Sequence, residues 1–480
     1  MPEEILVNVT PKEVRVALLD NGALQELHIE RKLQQGLLGN IYKGKVLRLL
    51  PGIQAAFIDI GLERAGFLHA KDIRLDYENL DIRDLLKPGE EVIVQVYKDP
   101  LGSKGARLTK MFSIPSRYLV LTPDNVQVAV SQKITDEAER ARLVEMLEPD
   151  DTHGYIFRTA AFGANKPDIE VDKTFLLALW PNVIEASKKA KPGEIIYEEI
   201  PIVLRVLRDL AGYEIERIRV DQMAAVDQML DFAKQYVPAL IERIEYYSGE
   251  RPIFDIYSVE DELQKALQRR VYLKSGGYLV FDQTEAMTTI DINTGSYVGH
   301  GKVEETIFKT NLEAVDVIAR QIRLRNLGGI IIIDFIDMAD QLHKDHLLEM
   351  FAKELEKDKA RTELSELTSL GLLQMTRKRT RESLEHILCV SCPTCKNRGS
   401  IKSIETVSYE IFRELKRIAE NYKWSGFIVV AAENVVQYLL DEESLMLAEL
   451  ETDLNKPVKF QADSSYNQEQ YDILPMSERE

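Results

Sequence analysis

Ala286-Met287-Thr288-Thr289-Ile290-Asp291-Ile292-Asn293 and Gly328-Gly329-Ile330-Ile331-Ile332-Ile333-Asp334-Phe335-Ile336-Asp337 bracket the segment whose reading decides the fold. In the first, a side-chain period of two puts Thr289, Asp291 and Asn293 on one face of a strand and Ile290 and Ile292 on the other. Between them, Val303 to Asn326 carries Ile307, Phe308, Leu312, Val315, Ile318, Ala319 and Ile322 at helical spacing. The four isoleucines before Asp334 read as a second strand, covered on both faces as in a parallel sheet. Strand, helix and strand make a βαβ unit. A right-handed crossover sets its two strands close together, with their C-terminal ends at one edge. Asp291 and Asp334 are therefore expected to converge there.

Two carboxylates and a side-chain amide are hard oxygen donors of the kind Mg²⁺ or Mn²⁺ takes while holding a phosphate and a water. A single Asp at a strand end is more often a turn former or a helix cap. Pairing on adjacent strands, with Asn293 alongside, is what favours the ligand reading. Asp337 stays open between a supporting group and the N-cap of a helix starting near Met338.

At 480 residues the chain is too long for one hydrophobic core and suggests three or more domains. A hydrophobic content of 45% with 29% charged residues is ordinary for a soluble protein. No apolar run reaches the ~18 residues of a membrane span, and Met1-Pro2-Glu3-Glu4 lacks the basic and apolar regions of a signal peptide. A cytoplasmic protein without membrane partners is the expectation. The net charge of −18 excludes indiscriminate coating of nucleic acid, which depends on phosphate neutralisation. Local clusters remain, at Arg377-Lys378-Arg379 with Arg381 and near Lys98, Lys104 and Arg107, either as selective binding sites or as solvated surface.

The three cysteines, Cys389, Cys392 and Cys395, lie together, which rules out a disulfide framework. Cys392-Pro393-Thr394-Cys395 has zinc-knuckle spacing, but no second pair follows to close a tetrahedral site. One pair from each of two subunits would close it, making Zn²⁺ an intersubunit clasp and the protein a homodimer, with higher oligomers open. The alternative is an exposed turn with incidental thiols.

In chain order, Ile5 to Val9, Val14 to Leu19 and Leu24 to Ile29 read as an antiparallel meander turning at Asn21-Gly22. Such a piece must pack on something later in the chain. Ile41 to Leu49, Ala55 to Ile60, Ala65 to His69 and Val92 to Tyr97, punctuated by glycines, suggest a small barrel of the OB type, with an excursion over Asp76 to Leu86. Phe57, Phe67, Lys104 and Arg107 are either its base-stacking and cationic face or, for the phenylalanines, core. Residues 118 to 205 read as mixed: strands over Tyr118 to Thr122 and Val126 to Val130, a helix from Thr135 to Leu147, and Gly154 to Ala160 ending in Arg158-Thr159. Arg beside Thr at a strand end suits a terminal phosphate, against the default of a surface strand end. A helix from Pro201 to about Leu210, a strand Ile215 to Val220, a long helix over 221 to 247 and another over Ile256 to Arg270 follow. Gly276 to Phe281 is the expected hairpin partner of the Asp291 strand. A helix from Met338 to Lys357, a loop and the basic stretch precede the cysteines. Beyond them, Glu405 to Tyr422 and Val435 to Leu440 read as helices, Gly426 to Ala431 and Val458 as strands, and Ser464 to Glu480 as an extended docked tail.

The motifs Thr289 to Gly295, Ile333 to Met338 and Cys392 to Cys395 together resemble the ribonuclease E/G family. Gly39-Asn40-Ile41-Tyr42-Lys43-Gly44, Lys104-Gly105-Ala106-Arg107-Leu108-Thr109 and Thr376-Arg377-Lys378-Arg379-Thr380-Arg381-Glu382-Ser383 point to its ribonuclease G branch. The resemblance implies a multidomain α/β and α+β chain. A ribonuclease-H-like domain (1–35 with 205–268) would hold an inserted OB-fold RNA-binding domain (36–118) and a 5′-phosphate sensor (119–204). A deoxyribonuclease-I-like catalytic domain (269–388), a zinc link (389–399) and a small C-terminal α/β domain (400–480) would follow.

It implies, further, a Mg²⁺-dependent endoribonuclease that cuts single-stranded AU-rich RNA, prefers a 5′-monophosphate end, leaves 5′-phosphate products, and serves ribosomal RNA precursor maturation and mRNA decay. Asp291 and Asp334 would hold the metal and Asn293 the scissile phosphate or its water. Phe57, Phe67 and Lys104 would line the RNA groove, Val120, Arg158, Thr159 and Arg361 the 5′-phosphate pocket, and Cys392 and Cys395 the shared Zn²⁺. The chain departs from the family pattern at Gln132-Lys133, where relatives show paired arginines, and in Lys396-Asn397-Arg398-Gly399, which lacks the first of two usual glycines. Rival readings are a non-catalytic RNA-binding ribosome-assembly factor and a deoxyribonuclease using the same metal chemistry.

Overall fold

Asn21 and Gly22, both in the left-handed region (φ 51° and 75°), turn the chain between strands Glu13–Asp20 and Ala23–Arg31. This is the hairpin turn expected from the sequence. The computed structural model describes residues 3–31, 36–73, 81–100, 105–123, 125–147, 152–211, 215–295, 303–368, 370–379 and 381–476. The chain forms two compact units, Met1–Ile387 and Leu388–Glu480. Among the described residues no helix is long and apolar enough to cross a membrane.

In the first unit, strand Glu3–Val9 pairs antiparallel with Glu13–Asp20 and parallel with Ile215–Val220, which pairs in turn with Ile244–Tyr246. The sheet's apolar face, with Ile5, Val7, Val16, Ile218 and Val220, packs on Ala225, Val226, Met229 and Ala233 of helix Met223–Tyr236. The long helix expected over 221–247 is therefore shorter. Pro238 lacks the amide a continuing helix needs, and a 3₁₀ segment, Pro238–Arg243, leads into the Ile244–Tyr246 strand. The helix expected over 256–270 is likewise broken. Ser258, at φ 53°, separates Ile253–Ile256 from Val259–Ala266, and the chain is already a strand at Arg270–Tyr272.

Between these two stretches of the first sheet the chain builds a five-stranded barrel. Strands Ile41–Leu50, Ala55–Asp59, Gly66–His69, Arg107–Thr109 and Glu91–Lys98 neighbour one another in that order, and the last pairs back onto the first. Strand Ile195–Tyr197 adds to the start of Ile41–Leu50 as a sixth member of the sheet, and Val46, Ile58, Leu68, Val94 and Leu108 fill the barrel interior. Lys104 and residues 76–80 of the 76–86 excursion lie outside the described residues; Ile82–Leu85 is a short helix. A second small sheet, of Val128–Val130, Gly154–Phe157, Leu119–Thr122 and Ile114–Pro115, packs on helix Lys166–Lys189 through Leu119, Leu121, Phe157, Ile169 and Leu176.

The sheet that carries the opening motif runs Arg270–Tyr272, Tyr278–Gln283, Met287–Asn293, Gly329–Asp334, Leu372–Arg377 and Thr362–Leu367. Helix Val303–Leu324 crosses between Met287–Asn293 and Gly329–Asp334, the sheet's parallel pair. It packs with helix Gln341–Glu356 on Ile290, Ile292, Ile331 and Ile333. The isoleucine strand is not covered on both faces: Ile331 and Ile333 are buried while Ile330 is 46% exposed. One crossover supplies helices to one side only, so the other face stays open. The stretch read as a loop before the basic residues is the edge strand Thr362–Leu367.

In the second unit, strand Phe427–Ala431 lies between a parallel strand, Val458–Ala462, and an antiparallel one, Tyr471–Pro475, under helices Ile404–Asn421, Glu433–Asp441 and Ser444–Leu454. Tyr471–Pro475, part of the stretch expected as a tail, is thus a paired strand.

Candidate active site and polynucleotide-binding surfaces

Asp291 and Asp334 are register partners on adjacent parallel strands, both exposed at the C-terminal ends of those strands. They therefore stand side by side on the open face, as the pattern requires. Asn293 Nδ2 donates to Asp291 Oδ2 at 2.8 Å, which orients the amide. Burial pushes the Asp334 carboxyl above the usual carboxylate range, and the charges of Asp291 and Asp337 push the same way. A cation bound between them would relieve that repulsion. The loop after Asp334 is pinned by buried Asn311, whose amide donates to the Ile336 carbonyl (2.8 Å) and accepts from its N–H (3.1 Å). Asp337 does not cap the next helix; Asp340 does, accepting from Leu342 N at 2.9 Å.

Among the described residues no three His, Cys, Asp or Glu side chains cluster as a full metal cage. The pair is instead a partial donor set of hard oxygens. Such a set fits Mg²⁺, which is commonly held by one or two carboxylates with water and substrate phosphate in the other places.

On the barrel, Phe57 and Phe67 are cross-strand partners, half-buried and edge-on, with centroids 6.0 Å apart. Arg107 pairs in register with Phe67 on the far side, 5.3 Å from the Tyr97 ring, and its Nη2 lies 3.7 Å from Asp72. Arg48, opposite Phe57, places its guanidinium 5.5 Å from that ring. Phe57, Phe67 and Arg107 thus share one surface. Arg48 and Tyr97 belong to it too but do not show in the alternation, because bulges between Val46 and Arg48 and between Val96 and Lys98 each shift their strand by one residue.

In the small sheet, Arg158 follows strand Gly154–Phe157 and Thr159 opens a 3₁₀ turn. Val120 pairs with Ile156 in the same sheet. Arg158 donates to the Ser116 carbonyl and to Asp209 Oδ1 (2.7 Å), and Thr159 Oγ1 lies 3.2 Å from Ser131 Oγ. Burial raises the Asp209 carboxyl, but Arg208 and then Arg158 pull it lower, leaving it below the usual range. Lys133 ties this region to the turn before strand Thr362–Leu367 by donating to the carbonyls of Asp358 (2.9 Å) and Lys359 (2.5 Å). Arg361, two residues on, is exposed and ion-paired with Glu363 at 2.7 Å.

The basic stretch is not one exposed patch. Arg377 is buried, its Nε donating to Asp358 Oδ2 at 2.6 Å and its Nη1 to Asn326 Oδ1 and the Leu327 carbonyl. Arg379 donates to the Gly328 carbonyl.

In the second unit, the Cys392 carbonyl accepts from Lys396 N and the Cys395 carbonyl from Arg398 N, both at 2.9 Å. Asn397 takes the position of the missing glycine at φ 66°. Asn tolerates that region better than most residues, and its Oδ1 accepts from Cys392 N. The Cys395 and then Thr394 backbone N–H groups hold the Cys392 thiol below the usual thiol range. This turn suits thiolate ligands, though one chain supplies two of the four a structural Zn²⁺ takes.

The sequence profile of the Ribonuclease E/G family matches residues 113–380, more than half of the chain, and that of the RNase E/G thioredoxin-like domain matches residues 391–479. A ribonuclease G of Salmonella typhimurium is 50% identical over 489 aligned residues, spanning 99% of this chain and 100% of the relative. A ribonuclease G of Haemophilus influenzae is 49% identical over 98% of this chain and 99% of its own. The chain belongs to the ribonuclease E/G family. A ribonuclease E of Haemophilus influenzae is 38% identical over 94% of this chain, but only 49% of that longer protein is covered. Within the ribonuclease E/G family, then, the likeness to these ribonucleases G runs from end to end.

Proposed function

We propose that the protein is an endoribonuclease that hydrolyses single-stranded, AU-rich RNA, prefers a 5′-monophosphorylated end, and acts in 5′-end maturation of small-subunit ribosomal RNA and in mRNA decay. One observation carries this reading: the in-register pair Asp291 and Asp334 on an open sheet face, in a chain about half identical along its length to ribonuclease G.

Asp291 and Asp334 would hold Mg²⁺, which when bound supplies Lewis acidity at a phosphate oxygen and makes water a better nucleophile. Asn293, fixed by its bond to Asp291, keeps a carbonyl oxygen as acceptor for a water proton beside the phosphate. Phe57 and Phe67 offer π faces to bases, while Arg48 and Arg107 offset backbone charge. Arg158 and Thr159 bring a guanidinium and a hydroxyl to a 5′-phosphate, with Val120 beside them and Arg361 as a further cation. Cys392 and Cys395 would share Zn²⁺ with a second copy of the chain, giving a homodimer.

The test is cleavage of a short AU-rich RNA, 5′-monophosphorylated or 5′-hydroxyl, by wild type and Asp334→Asn, with Mg²⁺ or EDTA. Mg²⁺-dependent cutting that is lost in the variant and faster on the monophosphate is the expected result. A wild type that binds this RNA without cutting it overturns the reading in favour of a binding factor.

A further inference from the structure

Tyr272, Tyr278 and Asn293 form one row across the open face of the catalytic sheet. Tyr278 is the register partner of Asn293 on the antiparallel neighbour, and Tyr272 is the partner of Tyr278 on the edge strand. Arg270, Val280, Asp291 and Asp334 form the next row. Register partners share a face and adjacent strands lie about 5 Å apart, so the two tyrosines begin one strand away from the proposed catalytic residues.

Their packing is not that of core residues. The sheet buries Leu273, Leu279 and Phe281 on its other side and leaves Tyr272 68% exposed. The two rings meet at 6.3 Å and 60°, and the Arg270 guanidinium sits 4.4 Å from the Tyr278 centroid. Among the described residues no carboxylate pairs with Arg270, whereas its neighbour Arg269 is held by Asp282. A cation is thus kept on an aromatic face, next to carboxylates that would by themselves repel a polyanion.

We propose that Tyr272, Tyr278 and Arg270 form a base-stacking subsite for a nucleotide next to the scissile phosphate. The proposal rests on the endoribonuclease reading above and adds a place where the substrate is held. Every base has a π face, so such a subsite accepts any unpaired base, and Arg270 offers its charge to the adjoining phosphate. A base kept in a duplex has no free face to offer, so the subsite also favours single strands at the point of cleavage.

The experiment compares wild type, Tyr278→Ala, Tyr272→Ala and Tyr278→Phe on a short single-stranded RNA, and on the same RNA with abasic nucleotides stepped along the positions flanking the cut. Loss of a stacking ring raises KM roughly tenfold with little change in kcat. Tyr278→Phe stays near wild type, and at one abasic position wild type and the alanine variants become equal. The proposal is overturned if both alanine variants keep the wild-type KM, if Tyr278→Phe loses as much as Tyr278→Ala, or if no abasic position erases the difference. A sedimentation coefficient altered by Tyr272→Ala also overturns it, since the face would then be a contact between copies. Binding anisotropy with the same RNAs separates this from the activity: a wild type that never cuts but binds in a tyrosine-dependent way removes the nuclease reading and leaves the subsite.

Discussion

The Asp209 carboxylate lies 2.7 Å from the Arg158 guanidinium, so the arginine expected to grip a terminal phosphate already has an anion at hand. A 5′-phosphate must compete with Asp209 for that guanidinium, or share it. Arg158→Ala is expected to bring the ratio of cleavage rates on 5′-monophosphate and 5′-hydroxyl RNA to about one, with the hydroxyl rate little changed. Asp209→Asn keeps the shape and removes the competing charge, so its ratio should exceed that of wild type severalfold. Both follow from rates on the two RNAs.

Asp334 titrates above the ordinary carboxylate range, so the folded state binds its proton more tightly than the unfolded chain does. Its contribution to stability therefore falls as pH rises through and above that range, the opposite of a salt-bridged carboxylate. Asp334→Asn should melt at or slightly above the wild-type temperature at neutral pH in EDTA, while kcat falls by about two to three orders of magnitude. Added Mg²⁺ should raise the wild-type melting temperature and leave the variant's unmoved.

Arg377 and Asp358 are both buried and bonded to each other, and Arg377 also satisfies Asn326 and the Leu327 carbonyl. Removing one partner strands the other's charge. Asp358→Ala is expected to cost about 3–5 kcal/mol in urea unfolding, far more than loss of the exposed Arg361 to Glu363 pair.

Arg48 stands over Phe57 on the barrel. Arg48→Ala should weaken RNA binding about equally for different sequences and lower the slope of log affinity against log salt by about one, as titrations at several salt concentrations will show.

For the clasp, a Cys392→Ser, Cys395→Ser double variant is expected to lose zinc and sediment as a monomer at low concentration. Retention of a full dimer would refute the shared site.

The Asp291 and Asp334 pair was legible because alternation and crossover topology follow from local sequence; four of the five barrel strands were legible as short strands between glycines, while the three-residue Arg107–Thr109 was too short to show a pattern. Legibility stopped where the determining contact was distant or out of phase. The bulge at Val46 hid Arg48. The 221–247 stretch kept a helical apolar pattern up to Pro238, and only pairing with Ile215–Val220 makes Ile244–Tyr246 a strand. Arg377 reads as surface charge in sequence, and its burial depends on Asp358, nineteen positions away.

Asn8 Nδ2 donates to Asp221 Oδ2 across 213 residues of chain, at the seam where the first strand meets Ile215–Val220. On a ribosome adding about 5–20 residues per second, that seam waits roughly ten to forty seconds for its second half. The five barrel strands all lie between Ile41 and Thr109, so the barrel can close in the interval. The first three strands meanwhile hold an apolar face and an unpaired edge in readiness. The earliest-made part of this protein is thus among the last to be finished, and the one most in need of shelter while it is being made.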